Sequence, residues 1–143
     1  MFLGEYAHSV DAKGRIILPS KFRARLAEGC VITRGQEACL YGFTPETFKE
    51  LADELSRSRQ SVSARRGFRR MFFSGAIEEV PDSQGRVTLP EHLRTYANLS
   101  KDLTVIGAGP HFEIWDRESW LREQERLEAD YRDLDIDDPD FGF

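Results

Sequence analysis

Polar and apolar residues alternate along Arg86-Val87-Thr88-Leu89, a period of two that predicts a short strand with Val87 and Leu89 turned inward and Arg86 outward. Arg15-Ile16-Ile17-Leu18 falls in the same frame, so Arg15 takes the direction of Arg86. Further strands are expected before each of these, over residues 5–10 and 76–81. Apolar runs at 31–33 (VIT), 38–43 (ACLYGF), 103–106 (LTVI) and 112–115 (FEIW) predict four more. Pro19 and Pro90 suit the opening turn of short helices over 19–27 and 90–97, where the missing N–H is no loss. Two longer helices are better marked. Thr44 and Asp116 are N-cap residue types; Phe48, Leu51, Ala52 and Leu55 share one face of the first helix, and Trp120, Gln124, Leu127, Tyr131 and Leu134 one face of the second. Apolar positions that recur as far as Leu134 predict that the second helix packs on the chain's own core. Residues 135–143 carry no such pattern and read as a tail.

The pattern is written twice. DAKGRIILP at 11–19 returns as DSQGRVTLP at 82–90, and the flanking segments follow in the same order. This gives a first repeat over 5–57, an Arg-rich linker over 58–75, a second repeat over 76–134 and an acidic tail over 135–143. In each copy Asp-x-x-Gly is turn chemistry. The carboxylate of Asp11 or Asp82 accepts backbone N–H groups, and Gly14 or Gly85 supplies a positive φ, so the strands on either side are expected to form a hairpin. One copy of about fifty residues is too small to bury a convincing core. Two copies can complete each other's sheet around an approximate twofold axis.

Charge changes the picture of what such a molecule touches. The net charge is −5, but residues 116–140 hold 4 Arg and 11 Asp or Glu, which leaves residues 1–115 slightly basic. The stretch 57–70 carries Arg57, Arg59, Arg65, Arg66, Arg69 and Arg70 without one acid. It reads as a solvated linker that joins the halves, with Phe68, Met71, Phe72 and Phe73 anchoring it to the core, as a second DNA-contacting patch, or as a partner for the acidic helix of a neighbour. Cys30 and Cys39 are expected as buried reduced thiols. His8, His92 and His111 lack metal-ligand spacing, and no nucleophile elbow or phosphate loop is present, so neither a metal, a cofactor nor an enzyme is expected. No apolar run reaches membrane-spanning length and the N-terminus lacks a signal-peptide pattern; a cytoplasmic location without membrane partners is expected.

The D-x-x-G-R-[IV]-x-L-P-x-x-[FL]-R pattern resembles the swapped-hairpin, AbrB-like DNA-binding family. Its doubling, the opening MFLGEYAHSVDAKGR and the Arg-rich junction ending RRMFFSGA resemble the MraZ family of bacterial transcriptional regulators. The resemblance implies a mainly β fold with α-helices (α+β), built from tandem swapped-hairpin repeats that form a pseudo-twofold β-barrel flanked by helices. It also implies a repressor, associated with the nucleoid and assembled as a ring-shaped homo-oligomer. Such a repressor recognises short repeated boxes in the promoter of the division and cell-wall gene cluster. An antitoxin-like protein-interaction module is the alternative.

Double-stranded promoter DNA calls for cationic groups matched to phosphate, and for guanidinium forks that reach guanine O6 and N7 in the major groove. Arg15 and Arg86, rooted at the base of a turn, fit the second task; Lys13, Lys21, Arg23 and Arg94 fit the first. Asp11 and Asp82 are expected to pair with their own arginines and, with Gly14 and Gly85, to fix the turns.

Overall fold

The computed structural model describes residues 1–57 and 63–137. Arg59 and residues 138–143 of the expected tail lie outside them. The first half runs β1 (Glu5–Ser9), β2 (Arg15–Ile17), α1 (Ser20–Leu26), β3 (Cys30–Arg34), β4 (Leu40–Phe43) and α2 (Pro45–Arg57). After α3 (Ser63–Gly75) the second half repeats the order: β5 (Ile77–Glu79), β6 (Arg86–Thr88), α4 (Glu91–Tyr96), β7 (Asp102–Gly107), β8 (Phe112–Asp116) and α5 (Arg117–Asp133).

The halves interlock. One antiparallel sheet runs β1-β7-β8-β4-β3-β5 and a second pairs β2 with β6. β1 and β5, the leading strands of the two halves, each pair with the third strand of the other half, so Tyr6 faces Val105 as Ile77 faces Ile32. The β2–β6 register maps onto itself when the halves are exchanged: Arg15 faces Thr88 and Arg86 faces Ile17, with Ile16 and Val87 at the centre. β4 and β8 do the same around Tyr41 and Glu113. The expected hairpins are therefore exchanged between halves. Among the described residues the link from the end of β1 to its own β2 is the isolated Val10–Ile16 bridge with the Asp11 N–H bond to the Arg15 carbonyl, and β2 reaches more apolar cover against β6 than a lone hairpin could offer. The barrel is not formed as a closed ring of strands, since among the described residues the six-stranded ladder ends at β1 and β5.

Alternation places Ile16, Leu18, Val87 and Leu89 in the core at 1% exposure or less, where they meet Leu40, Leu103, Val105 and Ile114 of the large sheet. Edge-to-face contacts of Phe2 with Phe22 and Phe112, ring centroids 5.0 and 5.3 Å apart, fill one end. Gly42, between β3 and β8 in the sheet, lies under the Phe112 ring with no room for a methyl group.

The Arg-rich segment contributes a helix, α3. Phe72 is its buried anchor: it stacks on Phe48 of α2 and on Phe68, with centroids 5.6 and 5.3 Å apart. Arg34 of β3 closes the C-terminal end of α3 by donating from Nη1 to the Met71 carbonyl at 2.7 Å. α5 departs from expectation. Its Asp116 cap accepts from the Ser119 N–H at 3.2 Å, and Trp120 and Gln124 donate to Oε1 of Glu5 at 3.0 and 2.9 Å. Beyond Gln124 the apolar stripe is bare, with Leu127, Tyr131 and Leu134 at 40, 73 and 46% exposure. The spacing foretold the stripe, but the sheet ends before the helix does.

Candidate nucleic-acid interface

Each turn is built around one carboxylate. Oδ1 of Asp11 accepts the N–H groups of Lys13 and Arg15, both at 2.9 Å, and Oδ2 accepts from Arg15 Nε at 2.8 Å. Asp82 repeats this with the N–H groups of Gln84 and Arg86 at 2.9 Å and with Arg86 Nε at 2.7 Å. Gly14 and Gly85 take φ of +79° and +76° and donate back to the Asp carbonyls. The Arg15 N–H and, among the smaller causes, its guanidinium hold the Asp11 carboxyl below the ordinary carboxylate value. The Arg86 N–H and guanidinium do the same for Asp82. Both carboxylates are therefore ionised near neutral pH. They engage Nε alone, so the Nη1–Nη2 edge of each fork keeps its donors for another acceptor.

The ribbon then sets the two forks together. Arg15 and Arg86 stand diagonally on its outer face, about 7–8 Å apart at their roots by the usual geometry of such pairs. Each side chain keeps about a third of its surface exposed. Lys13 is exposed at the tip of the first turn and Lys21 on the first turn of α1.

Arg23 and Arg94 hold places the sequence did not disclose. Leu18 N–H donates to the Gly85 carbonyl and Leu89 N–H to the Gly14 carbonyl, at 2.9 and 2.8 Å. Arg23 Nε in turn donates to the Leu18 carbonyl at 3.0 Å, and Arg94 Nε to the Leu89 carbonyl at 2.9 Å. A Cβ on Gly85 would lie 2.6 Å from Arg23 Nε, and one on Gly14 3.3 Å from Arg94 Nε. Each turn is thus walled by an arginine from the opposite half. The only hint in the sequence was that the two arginines recur at the spacing of the turns themselves.

The surroundings of the two turns are not identical. Gln84 stands where the first turn has Lys13, and Glu79 where β1 has His8. Glu79 accepts the Thr88 N–H at 3.0 Å, whereas burial and then the Arg23 charge lower the His8 pKa. Lys21 is matched by His92, whose Nε2 lies 3.1 Å from the Gly75 carbonyl. Cys30 and Cys39 are free and buried, the Cys30 thiol pushed up to about 12 by burial and then by Glu79. Among the described residues no His, Cys, Asp and Glu cluster could hold a metal, and no helix is long and apolar enough to cross a membrane.

A family model described as "MraZ protein, putative antitoxin-like" matches the chain twice in tandem, over residues 1–71 and 72–137. The chain belongs to the MraZ family. The MraZ match falls once on each half of the interlocked fold, so each range carries one of the two Asp-x-x-Gly turns. The MraZ family is regulator-like, its description pointing to an antitoxin-like module.

Proposed function

We propose that this protein is a sequence-specific DNA-binding transcriptional regulator, a repressor that recognises short repeated boxes in the promoter of the division and cell-wall gene cluster. Two swapped-hairpin, AbrB-like repeats, 5–57 and 76–134, present the Arg15 and Arg86 forks to the major groove. Lys13 and Lys21 meet phosphates, while Arg23 and Arg94 add charge beside the turns they brace. The protein works in the cytoplasm at the nucleoid. The observation that carries this reading is the pair of guanidinium groups on one outer ribbon face, each oriented by its own aspartate through Nε. Such a fork can bridge guanine O6 and N7 by two parallel bonds, a contact that gives discrimination of about 1–3 kcal/mol against the wrong base.

One ribbon touches only a few phosphates, so a single copy binds weakly. Several copies in a ring raise the effective concentration of each next contact when the box spacing fits the subunit spacing. Arg15→Ala combined with Arg86→Ala is expected to abolish promoter shifts in a gel while the thermal melt stays cooperative. Wild-type binding by that double variant would overturn the assignment. Wild-type affinity should also fall with salt at a log–log slope of roughly −0.9 per phosphate neutralised.

A second reading, an antitoxin-like protein-interaction module, is favoured by the bare apolar stripe of α5. If the stripe serves a foreign protein, removing residues 127–143 abolishes capture of that protein and leaves promoter binding by the ribbon intact.

A further inference from the structure

Arg15 and Arg86 are not alone on the outer face of the ribbon. Strand alternation turns Ile17 and Thr88 the same way, while Ile16 and Val87 enter the core. The register then makes two pairs: Arg15 faces Thr88 at one end, and Arg86 faces Ile17 at the other. Directly opposed residues of this kind have Cβ atoms about 4.5–5.5 Å apart. Whatever base edge a fork reaches, its neighbour meets the edge beside it.

Exchange of the halves maps one fork onto the other, so two guanidinium groups by themselves read a box equally well in either direction. The neighbours break that symmetry. Thr88 is exposed and has a hydroxyl that donates or accepts, so it tolerates any base. Ile17 offers only carbon and is 42% exposed. One exposed isoleucine is ordinary on a protein surface; one set directly across from a base-reading fork is placed to read a base itself. An open groove of about 330 Å³, shared with Ala7, His8 and Ser9 of β1, adjoins it and leaves room for a small apolar group. Among the base edges of the major groove, that of thymine alone carries a methyl group. Against any other base, the isoleucine would strip water from a polar edge without replacing its hydrogen bond.

We infer that Ile17 reads the C5 methyl group of a thymine beside the guanine held by Arg86, and so fixes the direction in which the ribbon lies on its box. The inference rests on the DNA-binding reading above and adds to it a base and a direction. Arg15 with Thr88 forms the tolerant end of the ribbon, Arg86 with Ile17 the selective one.

The test removes one methyl group at a time. Full-length protein is titrated by fluorescence anisotropy on promoter duplexes in which each thymidine of one box is replaced in turn by deoxyuridine, which keeps every hydrogen bond and lacks the methyl group. Wild type should lose about fourfold in affinity at one position, adjacent to a guanine, which is what one buried methyl group is worth. Ile17→Thr, which copies the other end of the ribbon, should bind the thymidine and deoxyuridine duplexes alike. Deoxycytidine at that position should weaken wild type, and 5-methyldeoxycytidine should recover part of the loss. Should Ile17→Thr not melt as wild type does, Ile17→Val takes its place and should lessen the response. No responsive thymidine, an equal response in the Ile17 variant, or no recovery with the methylated cytosine would overturn the inference. In each of these cases the regulator assignment stands as long as Arg15→Ala with Arg86→Ala loses the promoter. A wild type that never binds the promoter ends both.

Discussion

The two turns and the two long helices that end the repeats were copied together, yet only the turns have stayed alike. The carboxylate-to-guanidinium bonds measure 2.8 Å in the first half and 2.7 Å in the second, and the glycine torsions differ by a few degrees. α2, by contrast, is 13 residues long and covered by α3, while α5 is 17 residues long and runs bare past the sheet. The turns meet each other across the ribbon, where any change on one side disturbs the other. The helices stand at the periphery and are free to diverge. Identity is kept where the halves touch, and difference accumulates where they do not.

The largest effect should come from breaking the contact between halves. In Gly42→Ala the new methyl would sit 2.1 Å from the Phe112 ring, which is fully buried. Overpacking of this kind costs about 1–3 kcal/mol, a drop in melting temperature of several degrees measured calorimetrically. Gly67→Ala, on the helix that has no counterpart, meets nothing within 4 Å and should stabilise by up to about 1 kcal/mol. Opposite signs for these two Gly→Ala changes would confirm where the halves are constrained; a costly Gly67→Ala would contradict it.

A smaller effect sharpens the comparison of the turns. Because Arg94 braces the turn of Arg15, and Arg23 that of Arg86, coupling in promoter binding should cross the halves. Double-mutant cycles are expected to show coupling of about 0.5–3 kcal/mol for Arg94→Met with Arg15→Ala and for Arg23→Met with Arg86→Ala. The same-half pairs, Arg23 with Arg15 and Arg94 with Arg86, should be additive. Coupling within halves instead would show that these arginines act on phosphate and not on the turns.

The smallest effect is in acid. Both aspartates have folded pKa values below the ordinary one, so their stabilisation is complete above about pH 4 and is lost as pH falls through the depressed values. Melting temperature should be insensitive to these groups near neutrality and decline in acid. Asp11→Asn with Asp82→Asn should lessen that decline, and the two single variants should contribute alike. A steeper fall in one of them would mark a real difference between the turns.

Much of this was legible in the chain because it depends on local chemistry. Asp-x-x-Gly has few conformations open to it, and alternation at Val87 and Leu89 fixed the outward course of Arg86 and Arg15. Proline marked α1 and α4. The exchange of β1 and β5 was expected from the family resemblance, whereas the residues by themselves gave only a twofold partnership, since strand pairing across some fifty to a hundred residues leaves no mark on short-range pattern. The helical form of α3 was hidden by its arginines, which suggest solvent, while the anchoring role of Phe72 was legible and only its partner, Phe48, was not. The α5 stripe misled for a complementary reason: periodicity reports that a face is apolar and is silent on what lies opposite.

The pairing of Glu5 with Ile106 has a consequence for synthesis on the ribosome. β1 emerges early but has no hydrogen-bonding mate until β7 follows, and β2 must wait for β6. Loop closure over such distances is slow. β1 and β2 therefore keep unsatisfied strand edges until most of the second half has been made.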